Sequence, residues 1–181
     1  MTTPSPTRGP AAPAVRPRSI ARTAAVQALY QMDMAGTDLN QVIEEFQHVR
    51  FAAHAVTSGG SDAHNEIDPD EKAEGADTQF FADILRGVVR RQRDIDPVID
   101  QQLVEGWRLV RVDSILRAIL RAGVFELMER PDVPARVVIN EYINVAHSFF
   151  ADEEPRVVNG VLDKIARKVR GPEIPAGPKK G

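Results

Sequence analysis

The stretch LRAILRAGVFELMERPDVPARVVINEYINVAHSFF, residues 116–150, determines the fold class that this sequence predicts. Apolar residues recur every three or four positions on both sides of RPDVP (130–134), which is the spacing of two amphipathic helices. Asp113 is a suitable cap for the first helix, and the prolines of RPDVP end it and start the second at Pro134. Because a short connection favours antiparallel neighbours, the stretch predicts a helical hairpin.

Three helices are predicted in the first half of the chain from the same spacing of apolar residues. Their expected boundaries are a cap at Ser19 and an end at Gly36 for the first, a cap at Thr37 or Asp38 for the second, and a start near Asp77 for the third.

Asp96-Pro97 is expected to stop the third helix and to open a short fourth, with Trp107 in it or at its exit. A last helix is expected in VVNGVLDKIARKVR (157–170). No stretch alternates apolar and polar residues, so the prediction is an all-α fold of seven helices in two helical bundles. The expected parts are a disordered basic arm (1–18), an N-terminal subdomain (19–96) with an acidic loop (57–76), a C-terminal subdomain (97–170) and a disordered tail (171–181).

Composition excludes several kinds of protein. The 181 residues contain no cysteine, which rules out disulfides, thiolate catalysis and cysteine-based metal sites. No apolar run approaches the roughly 20 residues that cross a bilayer. The start of the chain is rich in proline rather than apolar, so no secretory signal is expected and we predict a cytoplasmic location.

Positive charge is concentrated ahead of the first helix although the net charge is −3. Arg16, Arg18 and Arg22 stand there with no acidic residue before Asp33, whereas a helix N-terminus favours acids. One interpretation is a solubilising tail. The other is that these arginines bind the phosphates of a localised anionic partner.

Two residues of the first helix favour the second interpretation. Gln27 and Tyr30 lie on its polar side, away from the stripe that contains Ala24 and Ala28. A tyrosine can stack on an unpaired base and a glutamine can hydrogen-bond a base edge, and single-stranded RNA exposes both.

Metal binding and phosphate binding by a glycine-rich loop have weaker support in the sequence. The four histidines (His48, His54, His64 and His147) do not have the spacing of a helical metal pair, and the Gly-rich SGG at 58–60 lacks the lysine of a phosphate-binding loop. We expect no catalytic residue, metal or cofactor. Gly160 is interpreted as a point of close approach between helices, and Asn159 as a partner of a neighbouring backbone.

The chain resembles the NusB family of bacterial transcription antitermination factors. The resemblance is carried by AVQALYQMD (25–33), by residues 116–150 and by VVNGVLDKIARKVR (157–170), in that order along the chain. It implies a two-subdomain, all-helical fold without enzymatic activity. It also implies binding to the boxA RNA of ribosomal RNA leaders together with NusE, a ribosomal protein, in a complex that joins RNA polymerase and suppresses termination.

The family's functional residues map onto positions of this sequence. Its arginine-rich N-terminus maps to Arg16, Arg18 and Arg22, and its RNA-facing tyrosine to Tyr30, with Gln27 in the same AVQALY motif. The turn before the last helix lies near RNA in the family, which implies roles for Glu153, Arg156 and Val157. The family often has an aromatic residue at the position of Val157, so stacking is not expected there.

Two alternatives remain at this point. A related helical domain precedes the catalytic domain of certain RNA cytosine methyltransferases, but a chain ending at Gly181 has no room for that domain. The chain could instead be a protein-interaction module without direct RNA contact. Members of the family occur as dimers and as monomers, so a homodimer is also compatible with the resemblance.

Overall fold

A computed structural model describes residues 17–51, 76–151 and 153–174. Within these ranges every regular element is helical, which confirms the all-α prediction. The α-helices are α1 (Pro17–Ala35), α2 (Leu39–Glu45), α3 (Thr78–Asp100), α4 (Ser114–Glu129), α5 (Ala135–Phe149) and α6 (Glu154–Val169). A π-helical turn (Phe46–Arg50) continues α2, and short 3-10 turns occupy Leu109–Arg111 and Gly171–Glu173. Predictions for residues 1–16, the acidic loop (57–75) and residues 175–181 lie outside the described residues.

The described residues form six α-helices rather than the predicted seven because α3 continues through Pro97. Ile95 and Ile99, on either side of this proline, are both fully buried, and Arg121 makes two 2.8 Å hydrogen bonds to the carboxylate of Asp96. These tertiary contacts stabilise a further turn of the helix, although proline has no backbone N–H for the helical hydrogen bonds. The predicted fourth helix is therefore wrong, and the subdomain boundary expected at residue 96 falls inside a helix.

Most predicted helix ends are confirmed. Asp38, Asp77 and Asp113 cap the starts of α2, α3 and α4 with side-chain oxygens that accept backbone N–H groups. Gly36 follows α1 with φ +65°, a left-handed conformation that glycine adopts without a Cβ clash.

Two boundaries differ from the prediction. Helix α1 starts at Pro17 instead of after Ser19, whose hydroxyl donates to Glu141 at 2.6 Å instead of capping. Beyond α6, Gly171–Glu173 forms a 3-10 turn and Ile174 is buried, so this part of the predicted tail packs against the core.

Helix α4 is the centre of the structure. It packs against α1, α3, α5 and α6, and its residues 122–127 are all buried. Glycines permit two of these approaches: the ring of Phe125 lies against Gly87 of α3, and a Cβ at Gly123 would stand 2.9 Å from the side chain of Leu162. Among the described residues, no atom outside its own stretch of α6 lies within 4 Å of the Cβ position of Gly160, so its interpretation as a site of close helix approach is wrong.

A buried polar network joins α1 to the α4–α5 hairpin. Arg22 is only 3% exposed and donates to both carboxylate oxygens of the fully buried Glu126, at 2.8 and 2.9 Å. The hydroxyl of Tyr142 donates to Glu126 at 2.7 Å, and Arg22 also donates to Glu141 at 3.3 Å. Burial acts to lower the pKa of Arg22, but the hydrogen bond and charge of Glu126 outweigh it and raise this pKa. Arg22 therefore remains charged at neutral pH, and burial raises the pKa of the Tyr142 hydroxyl, which stays protonated and donates to Glu126.

An arginine at the end of α6 donates hydrogen bonds to backbone carbonyls at the carboxyl end of α4. Arg170 is buried and donates to the backbone carbonyls of Glu126, Leu127, Arg130 and Val133. The last carbonyls of a helix have no partner within it, and a cation there also complements the helix dipole. Arg170 thus connects α6 to the turn of the hairpin.

Replacing Arg22 by methionine is expected to lower the free energy of unfolding by about 3–5 kcal/mol, because Glu126 would be buried without its cation. The double variant Arg22→Met/Glu126→Gln is expected to recover much of this loss, because a neutral amide can still accept from Tyr142. Urea denaturation measures both values. The exposed Arg156, 4.0 Å from Glu153, is the control, and Arg156→Met should change stability by less than about 1 kcal/mol. Equal losses in the single and double variants would contradict this account.

Two glycine-to-alanine substitutions are expected to have opposite effects. Gly87→Ala should cost about 1–3 kcal/mol because the added methyl group collides with the ring of Phe125. Gly160→Ala should stabilise α6 by about 0.5–1 kcal/mol, because it improves helix propensity in open space. Thermal unfolding of the two variants tests this, and a change of the same sign in both would disprove the assigned packing.

Candidate nucleic-acid interface

One side of α1 is only partly covered by other helices. Ser19, Thr23, Gln27, Tyr30 and Met34 follow at spacings of three or four residues and therefore share one face, which we call the α1 stripe. Tyr30 is 38% exposed and Met34 is exposed, whereas the alanines of the opposite face are buried. The expectation that Gln27 and Tyr30 lie away from the packed alanine face agrees with this arrangement.

A cation that sequence reasoning missed lies beside the α1 stripe. Arg50, at the end of the π-helical turn, donates to the side-chain oxygen of Gln27 at 3.4 Å and lies 4.6 Å from the ring centre of Phe46. Its position next to Gln27 depends on how α2 packs on α1, so no local sequence pattern could reveal it. No described residue accepts from the two N–H donors of the Gln27 amide, so both can bind a ligand.

Arg22 does not belong to this surface. Its guanidinium is buried and forms two hydrogen bonds with Glu126, so a phosphate could reach it only by displacing an internal carboxylate. The prediction that Arg22 binds phosphate is therefore corrected: this residue positions α1 on α4.

Arg18 is accessible but already has acidic neighbours. Its side chain is 44% exposed, and it lies 3.5 Å from Asp77 and 3.4 Å from Asp132. A hydrogen bond from Arg130 lowers the pKa of Asp132 to about 2, so this neighbour is ionised at neutral pH. Arg18 is also about 18 Å from Tyr30 along α1, given a rise of 1.5 Å per residue. Arg16 lies outside the described residues.

The far end of α1 lies at the same end of the bundle as the start of α6. Asp33 pairs with Arg117 at 3.1 Å and with Arg121 at 3.3 Å, which places the end of α1 beside the start of α4. A cavity of about 350 Å³ then joins the start of α4 to Glu153 and Val157. The structure therefore brings Glu153, Arg156 and Val157 to the Tyr30 end of α1, and places Arg18 at the opposite end.

Glu153 and Arg156 are both strongly exposed, and their charged atoms are 4.0 Å apart. So wide a separation at the surface gives a weak ion pair, which leaves Arg156 available to an anion. Val157 is half-buried against the core and lines the cavity.

The segment before α4 exposes an apolar surface that sequence reasoning did not foresee. Trp107 is 53% exposed, and its sequence neighbours Val104 and Val110 are exposed as well. The three residues lie in or next to the non-helical segment 101–108. Arg108 and Arg111 are exposed as well and form no ion pair with any residue that the structure describes. We call these five residues the Trp107 patch. Large exposed aromatic and arginine side chains are typical of protein-binding surfaces.

Neither a metal site nor a membrane span is found in the described ranges. No three histidine or acidic side chains there are grouped to hold an ion, and no helix there is long and apolar enough to cross a bilayer.

Comparisons with known proteins identify the family of this chain. The NusB family profile matches residues 19–167. The chain is 48% identical to transcription antitermination protein NusB of Allorhizobium ampelinum over 157 residues, which are 87% of this chain and 90% of that protein. It is 46% identical to the protein of the same name from Rhodopseudomonas palustris over 160 residues, covering 88% and 84% of the two chains.

Solved structures also match. The structure of NusB from T. maritima has a TM-score of 0.64 and 26% identity, over 86% of this chain and 95% of that one. A structure of the antitermination factors NusB and NusE in complex with double-stranded RNA matches with a TM-score of 0.60 and 21% identity, over 84% and 97% of the chains. The second match shows the fold alone.

The motifs that carry the resemblance fall on α1, on the α4–α5 hairpin and on α6, and α1 and α6 bear Gln27, Tyr30 and Arg156 of the candidate surface. The family profile covers nearly all of these helices, and nearly half of the aligned residues are identical in curated relatives. The chain therefore belongs to the NusB family.

Proposed function

We propose that this protein is an RNA-binding transcription antitermination factor. It binds the boxA RNA of ribosomal RNA leaders together with NusE, and the complex joins RNA polymerase in the cytoplasm and suppresses termination. The observation that carries the proposal is the α1 stripe, where a half-exposed tyrosine stands one turn from a glutamine with free donors and an exposed arginine. We assign no catalytic step, metal or cofactor to this protein.

Each side chain of the interface has a role that its chemistry permits. Tyr30 stacks on an unpaired base, Gln27 donates to a base edge and Arg50 neutralises a phosphate. Arg156 binds a second phosphate at the start of α6, where Glu153 limits the approach of the strand and Val157 supplies an apolar contact.

The N-terminal arginines contribute positive charge at the start of α1, the end opposite Tyr30. Arg18 keeps part of its guanidinium exposed and attracts the RNA from the other end of the helix, and Arg16 precedes it in sequence. Arg22 acts only by fixing the orientation of α1.

The Trp107 patch is the proposed surface for NusE. It combines an exposed tryptophan, two exposed valines and two arginines that have no ion pair among the described residues, at the end of the bundle that also bears Glu153. This patch is also the observation that favours the alternative function, a protein-interaction module that makes no direct RNA contact. The two functions differ in whether the chain binds RNA when NusE is absent.

Tyr30→Ala is expected to lower the affinity of the protein for boxA RNA by roughly five- to 150-fold, because stacking on an aromatic side chain contributes about 1–3 kcal/mol per base. Tyr30→Phe should keep most of the affinity because the ring remains. Val89→Ala on α3, which removes a comparably exposed side chain, is the control. Fluorescence anisotropy with labelled RNA measures each value. Unchanged binding by Tyr30→Ala would favour the protein-interaction module.

Trp107→Ala is expected to lower the affinity for NusE by about thirtyfold or more, because a buried interface tryptophan commonly contributes 2 kcal/mol or more. RNA binding by the protein alone should not change, because Trp107 is not part of the α1 stripe. Isothermal titration with NusE and the RNA assay above give the two readouts. A loss of RNA affinity with intact NusE binding would contradict the assignment of this patch.

A further inference from the structure

The outer surface of the α5–α6 pair contains a polar groove of which the proposed interface uses only the end at Glu153 and Arg156. Two cavities of about 430 and 300 Å³ lie along it, and both are lined by Asn159, so they form one continuous feature, the α5–α6 groove. Most of its polar lining is basic or carries an amide: Arg136, Asn140, His147, Arg156, Asn159 and Arg167.

The groove retains unused donors and positive charge. Arg136 is exposed and has no ion pair within the described ranges, and the side chains of Asn140 and Asn159 have no hydrogen-bond partner there. Two acids also line the groove. Asp163 pairs with Arg167 at 2.9 Å, and Glu153 is 4.0 Å from Arg156. Because no described residue bonds the side chain of Asn159, the expectation that it bonds a neighbouring backbone is wrong. The described charged side chains that line the groove, three arginines and two acids, carry net positive charge.

Gly160 adds a second and independent observation. It lies in the interior of α6, where glycine weakens a helix, yet among the described residues no atom outside this stretch of α6 lies within 4 Å of its Cβ position. Close packing inside the protein therefore does not explain the glycine. An exposed glycine beside a groove allows another molecule to approach the helix backbone closely.

The chemistry of the groove favours a nucleic acid over an acidic peptide. Arginines at both ends of the groove can form ion pairs with phosphates. The amides between them can hydrogen-bond the edges of bases, and an acidic peptide has no bases. The groove also begins at Arg156, which already belongs to the proposed interface.

We propose that the α5–α6 groove binds a second segment of the same single-stranded RNA, which continues from Arg156 past Gly160 towards Arg136. This inference rests on the proposed function, since it extends that RNA path. Arg156 and Arg167 are separated by about 16 Å along α6, so the groove holds a few nucleotides. Arg136 neutralises a phosphate, Asn140 and Asn159 contact bases, and the RNA backbone passes over Gly160.

The test compares boxA RNA with the same RNA lengthened by several nucleotides at either end. Arg136→Gln should weaken binding of the longer RNA by about fivefold near 0.1 M salt and reduce the salt slope by about 0.7, the values for one phosphate on a single strand. Binding of the short RNA should not change. Arg93→Gln, which removes an exposed arginine of α3 that has no ion pair among the described residues, is the matched control.

Gly160→Gln separates a binding role from a structural one. This variant should raise the midpoint of thermal unfolding, because it improves the helix, and should weaken binding of the longer RNA, because the side chain occupies the path of the strand. If the wild type binds the longer RNA and both groove variants behave like Arg93→Gln, the inference is overturned. The same holds if the groove variants lose NusE binding and keep RNA affinity, which would indicate a protein in the groove. If the wild type binds neither RNA, the proposed function fails and the inference fails with it.

Discussion

The structure depends on the buried ion pair between Arg22 and Glu126. A charge inside a protein is tolerated only when its partner and hydrogen bonds are in place, so this pair admits one position of α1 on the α4–α5 hairpin. That position also decides which side of α1 remains uncovered. The stripe with Gln27 and Tyr30 stays partly exposed because the face with Arg22 is packed against α4. An interior electrostatic contact therefore defines the outer surface that we assign to RNA.

Much of the fold could be predicted from local sequence. The helical hairpin at residues 116–150 and the caps at Asp38, Asp77 and Asp113 follow from helix periodicity and from the hydrogen bonds that short acidic side chains make to free N–H groups. The failure at Pro97 has a tertiary cause. Proline disfavours a helix by a local effect, but the burial of Ile95 and Ile99 and the contact between Arg121 and Asp96 outweigh it, and their partners lie elsewhere in the chain.

The candidate site could be predicted only in part. Tyr30 and Gln27 follow from the period of α1, because the alanine stripe indicates which face is packed. The same reasoning assigned Arg22 to the surface, since an arginine near a helix start gives no sign of a carboxylate that is 104 residues away in the chain. Arg50, the Trp107 patch and the groove beside Asn159 all arise from contacts or loops between separate elements, so no pattern within one segment identifies them.

The position of Arg170 has a consequence for folding during synthesis. The carbonyls that end α4 receive their partner from a residue about forty positions later in the chain. While the ribosome is still making α6, the α4–α5 hairpin can form its helical hydrogen bonds, but its turn lacks the guanidinium of Arg170. A nascent chain therefore gains this stabilisation only after Arg170 has left the exit tunnel. This order of events makes the last helix the step that completes the core.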